Sequence, residues 1–301
     1  MIKNLIIGAL AIGIVCWTLN ACSAKTKNNK EKVKPVVAVS IPPQLFFIKA
    51  IAGDRVQTVC LLENSSDPET FEPSMSQLVG LEEADVFMPI GVLPFEEVLA
   101  GRLKANKKNL EIANVSDGID ILTGTHGHHH GEGHNHNHAI AAADPHVWSS
   151  PRNAKVMALN TLEALIKADS INEDVYRANY QRLYNRIDSV DQSFQRAFSA
   201  PDAPRSFIVW HPSLSYFARD YGLSQVSLST DGKESSVKGL VDRLKSASGS
   251  GSVICFYQKE FDTERAAAFG NELGVKIVEI NSMNEEWEDE MQKLYDAFTI
   301  N

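Results

Sequence analysis

A single long stretch of helical periodicity, residues 172–200, constrains the fold more than any other feature. Its apolar residues recur at alternating steps of four and three, the spacing of one narrow stripe along an α-helix. The stripe consists of Tyr176, Tyr180, Leu183, Ile187, Val190, Phe194 and Ala197. At 1.5 Å per residue, one helix over this stretch is about 40 Å long. It lies either on the surface of one domain or between two lobes. We favour the second because a new series of strands and helices follows it.

Short β-branched runs alternate with helical stretches on both sides of that helix. The predicted strands are 36–40, 56–62, 86–90 and 110–113 before it, and 206–210, 226–228, 253–257 and 276–280 after it. The predicted helices begin near Pro42 and Ser74 in the first half and cover 213–221, 235–246, 262–273 and 285–298 in the second. Strands that alternate with helices form parallel βαβ units. The fold class is therefore α/β, with two similar lobes of mainly parallel sheets and a ligand cleft between them.

The N-terminal segment predicts export. Lys3 precedes an apolar run, 5–19, which is shorter than the roughly 20 residues that span a bilayer. A basic start, a short apolar core and small residues before a cleavage point are typical of a signal peptide, although a retained anchor helix is the alternative. The ending Leu19-Asn20-Ala21-Cys22 resembles the lipobox of bacterial lipoproteins, which implies that Cys22 is the lipidated first residue of a membrane-anchored protein.

These features divide the chain into five parts. They are an export signal (1–21), a polar, lysine-rich tether (22–35), a first α/β lobe (36–171), the linker helix (172–200) and a second α/β lobe (201–301). The globular part keeps Cys60 and Cys255, which we interpret as buried free thiols because each lies in an apolar run in a different half. A net charge of −9 argues against nucleic acid as a partner.

Seven of the nine histidines lie in one short loop, 125–138, with the sequence THGHHHGEGHNHNH. They are His126, His128, His129, His130, His134, His136 and His138. Neutral imidazole suits Zn, Cu, Ni and Fe, so we interpret the loop as an auxiliary metal-binding segment. The alternatives are an inert polar insertion or a purification artefact, and the internal position and irregular spacing argue against an artefact.

The two remaining histidines, His146 and His211, indicate a defined metal site. An Asp-Pro-x-x-aromatic phrase occurs twice, at 67–71 and 144–148, and its third residue is Glu69 in one copy and His146 in the other. His211 follows a predicted strand, and open α/β sheets bind ligands at the carboxyl ends of their strands. Two imidazoles and a carboxylate suit a divalent transition metal. Asp144 or Asp67 is a candidate for orienting a ring from outside the ligand set.

At these residues the chain resembles the metal-binding proteins of bacterial zinc and manganese ABC importers, the cluster A-I (cluster 9) solute-binding family. The resemblance covers residues 36–301. It rests on 67–73, the His-rich loop, 144–151, the linker helix, Trp210-His211 with Tyr216-Phe217, and 231–234. It implies two α/β lobes bridged by a rigid helix, with the metal between them. It also implies a monomer outside the cytoplasm that serves a membrane permease and its ATPase.

Residue by residue, the resemblance places the metal ligands at Glu69, His146 and His211. The chain departs from the family pattern in three places: Glu69 replaces a common histidine, Gln258 replaces an acidic residue, and Asn281 replaces a late aspartate. The fourth ligand is therefore left open between water, Gln258 and Asn281.

Zinc is the favoured metal. Asn281 lacks the charge that Mn²⁺ prefers, and the histidine loop favours a softer ion. The predicted function is capture of Zn(II) and its delivery to an ABC importer. The alternatives are a manganese- or iron-binding protein of the same family and a zinc-sequestering surface lipoprotein. We do not expect an enzyme, because neither a His-Glu-x-x-His helix nor a Gly-x-Ser-x-Gly elbow occurs in the sequence.

Overall fold

The computed structural model describes residues 34–62, 67–106, 110–123, 143–230, 233–234, 253–258, 268, 271 and 274–300. The predicted export signal, Cys22, most of the tether and the His-rich loop lie outside these residues, as do nearly all of the helices expected at 235–246 and 262–273. Within the described ranges, no helix combines the length and the apolar character needed to cross a membrane.

The first lobe is built on a four-stranded sheet in which every pair of neighbours is parallel, with the order β2-β1-β3-β4. Its strands are β1 (Val36–Val39), β2 (Gln57–Cys60), β3 (Val86–Met88) and β4 (Glu111–Ile112). Three of the four residues of β1 are buried, because the strand lies between two others and is covered on both faces. The structure thus confirms these four strands, and each observed end lies within two residues of its predicted limit.

Four helices accompany this sheet. They are α1 (Pro43–Ala52), α2 (Met75–Glu82), α3 (Pro94–Asn106) and α4 (Pro151–Ala168). A proline opens α1 and α4, where its missing N–H costs no hydrogen bond. At the start of α2 the Ser74 hydroxyl accepts the N–H of Gln77, and the Gln77 side chain accepts the N–H of Ser74. These two bonds form a complete capping box. Helices α3 and α4 were not predicted from the sequence.

The long helix α5 (Glu173–Ser199) has 27 residues and follows a short 3₁₀ turn. Tyr176, Leu183, Ile187 and Phe194 of the predicted stripe are buried. The helix packs against α1 and α4 of the first lobe. It also packs against two helices of the second lobe, α6 (Ser215–Tyr221) and α7 (Trp287–Thr299). The predicted two-lobed α/β fold with one bridging helix is therefore confirmed.

The second lobe repeats the plan with the strand order β10-β9-β5-β6, again parallel throughout. Its strands are β5 (Ser206–Val209), β6 (Ser224–Ser227), β9 (Ile254–Gln258) and β10 (Lys276–Ile280). A small antiparallel pair, β7 (Ser229–Thr230) and β8 (Lys233–Glu234), was not predicted. Strand β6 begins two residues before the predicted strand at 226–228, and α6 begins two residues after its predicted start at 213.

The two lobes share one hydrophobic core. Phe194 and Phe198 of α5 pack against Phe217 of α6, and Phe298 of α7 packs against Phe198 and Phe217. Cys60 and Cys255 are free, as predicted; Cys255 is buried as expected, whereas Cys60 is only partly buried. Burial raises the pKa of both thiols to about 12. Both therefore remain protonated and unreactive at neutral pH.

The indole groups of Trp148 and Trp287 join the two lobes close to His146. The Trp148 side chain donates to the Ser282 carbonyl at 2.7 Å, and the Trp287 side chain donates to the Trp148 carbonyl at 2.7 Å. Trp148 is two residues from His146, so these bonds fix the position of that part of the first lobe against the second.

Candidate metal site

Three side chains that are far apart in the sequence meet at one point. Glu69, His146 and His211 each offer one ligand atom, and these atoms lie within 4.8 Å of one another. The Glu69 Oε1 atom is 3.4 Å from His211 Nε2 and 3.8 Å from His146 Nδ1. The two imidazole rings are 5.1 Å apart between centroids. Two imidazoles and one carboxylate at this spacing form a donor set that suits Zn²⁺.

The repeated Asp-Pro phrase positions two of the three side chains by the same local turn. Asp67 Oδ1 accepts the N–H of Glu69 at 2.9 Å, and Asp144 Oδ1 accepts the N–H of His146 at 2.9 Å. An aspartate that binds the backbone two residues ahead forms an Asx turn, so each phrase holds its third residue in a defined direction.

The two aspartates differ in what else they contact. The same Oδ1 atom of Asp144 lies 2.9 Å from Nδ1 of the His146 ring. The other oxygen of Asp67 accepts the hydroxyl of Thr70 at 3.0 Å. Among the hydrogen bonds of the described residues, Asp144 therefore contacts the His146 ring, whereas Asp67 contacts the Glu69 backbone and the Thr70 hydroxyl within its own turn.

His211 follows β5, and the neighbouring strand β9 holds its backbone. The Gln258 side chain donates to the His211 carbonyl at 3.0 Å and to Ser213 Oγ at 2.7 Å, and it accepts the His211 N–H at 3.3 Å. Gln258 is 2% exposed. Both ends of its amide are thus engaged in hydrogen bonds within the protein.

Asn281, the other predicted candidate for a fourth ligand, is engaged in its own turn. Its Oδ1 atom accepts the N–H of Met283 at 3.0 Å, and its own N–H donates to Glu290 at 2.9 Å. Among the residues that the structure describes, no further aspartate, glutamate, histidine or cysteine belongs to the three-residue cluster.

Tyr216, to which no role was assigned from the sequence, also contributes to the surroundings of the site. Its hydroxyl donates to the Asp144 carbonyl at 2.6 Å and accepts the N–H of Leu122 at 3.2 Å. Burial raises the pKa of Tyr216 to about 12, so the hydroxyl remains a donor at neutral pH. The tyrosine belongs to α6 and both partners belong to the first lobe, so one hydroxyl ties the lobes together beside the His146 turn.

The three side chains differ in their access to solvent. His146 is 2% exposed, whereas Glu69 and His211 are 33% and 23% exposed. Glu69 also lines a groove of about 500 Å³ whose wall includes Phe71 and Phe95. Of the three side chains, the His146 ring is therefore the least accessible to solvent.

Two α/β lobes, one long bridging helix and a cluster of two imidazoles and a carboxylate define a bilobal metal-binding protein of the solute-binding class. Residues 37–299 match the family model described as "ZnuA: Zinc-uptake complex component A periplasmic". The chain belongs to this family.

Individual relatives agree with that assignment. The chain is 28% identical over 293 residues to the "High-affinity zinc uptake system protein ZnuA" of Bacillus subtilis (strain 168), covering 95% of this chain and 91% of that protein. It is 27% identical to the "Zinc-binding protein AdcA" of Streptococcus pyogenes serotype M1, of whose length it spans 59%. The crystal structure of a zinc-bound ZnuA deletion mutant matches with a TM-score of 0.73 at 30% identity, covering 89% of this chain and 99% of that one.

Proposed function

We propose that this protein captures Zn(II) outside the cytoplasm and delivers it to the permease of an ABC importer. The observation that carries the proposal is the meeting of Glu69, His146 and His211 within 4.8 Å. The names of the relatives support zinc uptake as the process that the chain serves. The protein is then a component of metal transport rather than an enzyme.

One ion is held by ligands from both lobes. Glu69 and His146 come from the first lobe and His211 from the second, so a bound ion adds a link between the lobes. Hydrogen bonds at Trp148 and Tyr216 already join the lobes at this place. The site is therefore largely preformed, which lowers the entropy cost of binding.

The donor set favours zinc over manganese. Two neutral imidazoles and one carboxylate give a small net negative charge and two nitrogen donors, whereas Mn²⁺ prefers several oxygen donors. Asn281 contributes no charge, and its side-chain oxygen is occupied by the Met283 N–H. A manganese or iron cargo is the alternative in this family.

The parts outside the described residues complete the proposal. Residues 1–21 act as an export signal, lipidated Cys22 anchors the protein to a membrane, and 22–35 serve as a tether for the lobes at 36–171 and 201–301. The His-rich loop at 125–138 acts as a weak, multivalent collector that raises the zinc concentration near the tight site.

Calorimetric zinc titration tests the binding step. We expect His211→Ala to lose the tight site while the weak sites of the loop persist. The matched control is His126→Ala, which removes an imidazole from the loop and leaves the tight site intact. Tight binding by His211→Ala equal to that of the wild type would refute the assigned site.

Zinc uptake by cells tests the delivery step. Cells that carry the permease and ATPase but lack their own binding protein should accumulate zinc at low external concentration when they express the wild-type chain. They should not do so with His211→Ala. If the wild-type chain binds zinc tightly but never supports uptake, the protein sequesters zinc instead of delivering it.

A further inference from the structure

The segment that carries His211 is held by a buried amide at the end of β9. Gln258 is the last residue of that strand, and its side chain makes three hydrogen bonds to residues 211 and 213. A buried polar group that is fully hydrogen-bonded contributes to order in the segment it binds, because breaking its bonds leaves unsatisfied groups in the interior.

Beyond the end of the sheet, the Gln258 side chain makes the hydrogen bonds that a neighbouring strand's main chain would otherwise make. Next to His211, the chain that follows β5 makes one more main-chain hydrogen bond to β9, from the Trp210 N–H to the Phe256 carbonyl at 2.9 Å. At the next residue the chain turns away from the sheet, and one side chain binds both the N–H and the C=O of His211. Only a group that is donor and acceptor at once can do this. A carboxylate only accepts hydrogen bonds.

A second glutamine binds the same segment farther along. Gln225 of β6 accepts the N–H of Leu214 at 2.9 Å and donates to Ser215 Oγ at 3.0 Å. Two amides, one on each of the strands that flank β5, therefore hold successive parts of 211–215. Gln258 binds the part that contains the ligand, and Gln225 binds the part that begins α6.

We propose that Gln258 is a positioning residue that fixes His211 for the ion and is not itself a metal ligand. The proposal rests on the zinc site of the proposed function. The amide stabilises the His211 peptide groups in one arrangement, whereas an ionised carboxylate would face the His211 carbonyl with no hydrogen to donate.

The substitution Gln258→Glu separates a positioning role from a ligand role by the sign of its effect. If Gln258 positions His211, the carboxylate breaks two donor bonds, and zinc affinity falls about 10- to 100-fold, the usual loss when an outer partner of a ligand is removed. If Gln258 is a ligand, the carboxylate is a better zinc donor than the amide, and affinity rises. The titration is repeated from about pH 7 to pH 9, because burial raises the pKa of a carboxyl group and a protonated one can still donate; the loss of affinity should be largest at the highest pH.

Gln225→Glu is the matched control. It makes the same chemical change at an amide that binds the same segment, so the metal-free forms of both variants should melt at lower temperature than the wild type. Only Gln258→Glu should lose zinc affinity, and only its cobalt-loaded form should show a changed visible d–d spectrum. Equal loss of affinity in both variants, or unchanged or tighter binding by Gln258→Glu, would overturn the proposal.

A zinc-loaded crystal structure of the wild-type chain gives a test that needs no variant to fold. We expect Gln258 to keep its bonds to His211 and Ser213 in the loaded protein. An amide oxygen about 2.0–2.2 Å from the ion would make Gln258 a ligand and overturn the proposal. If the wild-type chain binds no zinc tightly, the proposed function itself fails, which is a different result from either of these.

Discussion

Replacing Asp144 by asparagine removes a charge from the support of His146 while keeping the shape of the turn. In the native protein, one carboxylate oxygen accepts the His146 N–H and lies 2.9 Å from the ring Nδ1. An asparagine oxygen can still accept the backbone N–H. Its contact with the ring loses the negative charge, so the ring is held less firmly.

The size of the effect follows from that contact. A hydrogen bond to a charged partner contributes about 1.5–3 kcal/mol, and each 1.4 kcal/mol corresponds to a factor of ten in affinity. We therefore expect Asp144→Asn to weaken zinc binding by about 10- to 100-fold, in line with the loss seen when a carboxylate behind a metal-bound histidine is removed.

The twin phrase supplies the control. Asp67→Asn makes the same substitution in the same kind of turn, but Asp67 contacts the Glu69 backbone and the Thr70 hydroxyl instead of a ring. Competition titration with a zinc-selective chelator should show a much smaller change for Asp67→Asn than for Asp144→Asn. Wild-type affinity in Asp144→Asn, or equal losses in the two variants, would refute the role assigned to Asp144.

Three further substitutions test the packing of the long helix and the contact between the lobes. Phe194→Ala, at a residue 1% exposed, should lower the free energy of unfolding by about 3–5 kcal/mol in denaturant titrations, and a loss under about 1 kcal/mol would contradict its place in the shared core. Tyr216→Phe removes the hydroxyl that donates to the buried Asp144 carbonyl, so the same assay should show a loss of about 1–3 kcal/mol, and no loss would mean that this bond does not stabilise the lobe contact. Burial alone would raise the pKa of Asp191, but hydrogen bonds from neighbouring amide, ammonium and hydroxyl donors hold it below its usual value. Its stabilising effect is therefore complete above about pH 4 and is lost as the pH falls further, so Asp191→Asn should be destabilised at neutral pH and lose less stability than the wild type on acidification; parallel curves would contradict this.

Local signals in the sequence predicted much of the fold correctly. The Ser74–Gln77 capping box depends on residues three apart, and the structure contains it. The long helix was predicted correctly because its apolar stripe is continuous. At the end of the stripe the structure differs, since Phe198 is buried and the predicted Ala197 is only partly buried.

Helix α4 was missed because its buried face is partly polar. Asn153 and Thr161 lie on that face, where they donate to the Val147 and Met157 carbonyls. These side chains interrupt the apolar period that predicts a helix, and their burial is possible only because tertiary contacts and the helix backbone supply acceptors.

The sequence indicated the three ligand candidates but could not decide the roles around them. Gln258 and its partner His211 are 47 residues apart, so only the folded sheet brings the amide to that backbone. Asn281 was an open candidate because an amide next to a strand end suits either a ligand or a turn. Its bond to the Met283 N–H depends on the local backbone conformation.

Anomalous diffraction at the zinc edge, from zinc-loaded crystals of the chain without 125–138, tests the central claim most directly. We expect one strong peak bonded to Glu69, His146 and His211, with zinc–nitrogen distances of about 2.0–2.1 Å. A zinc ion bound elsewhere, or one that lacks any of these three side chains as a ligand, would contradict it.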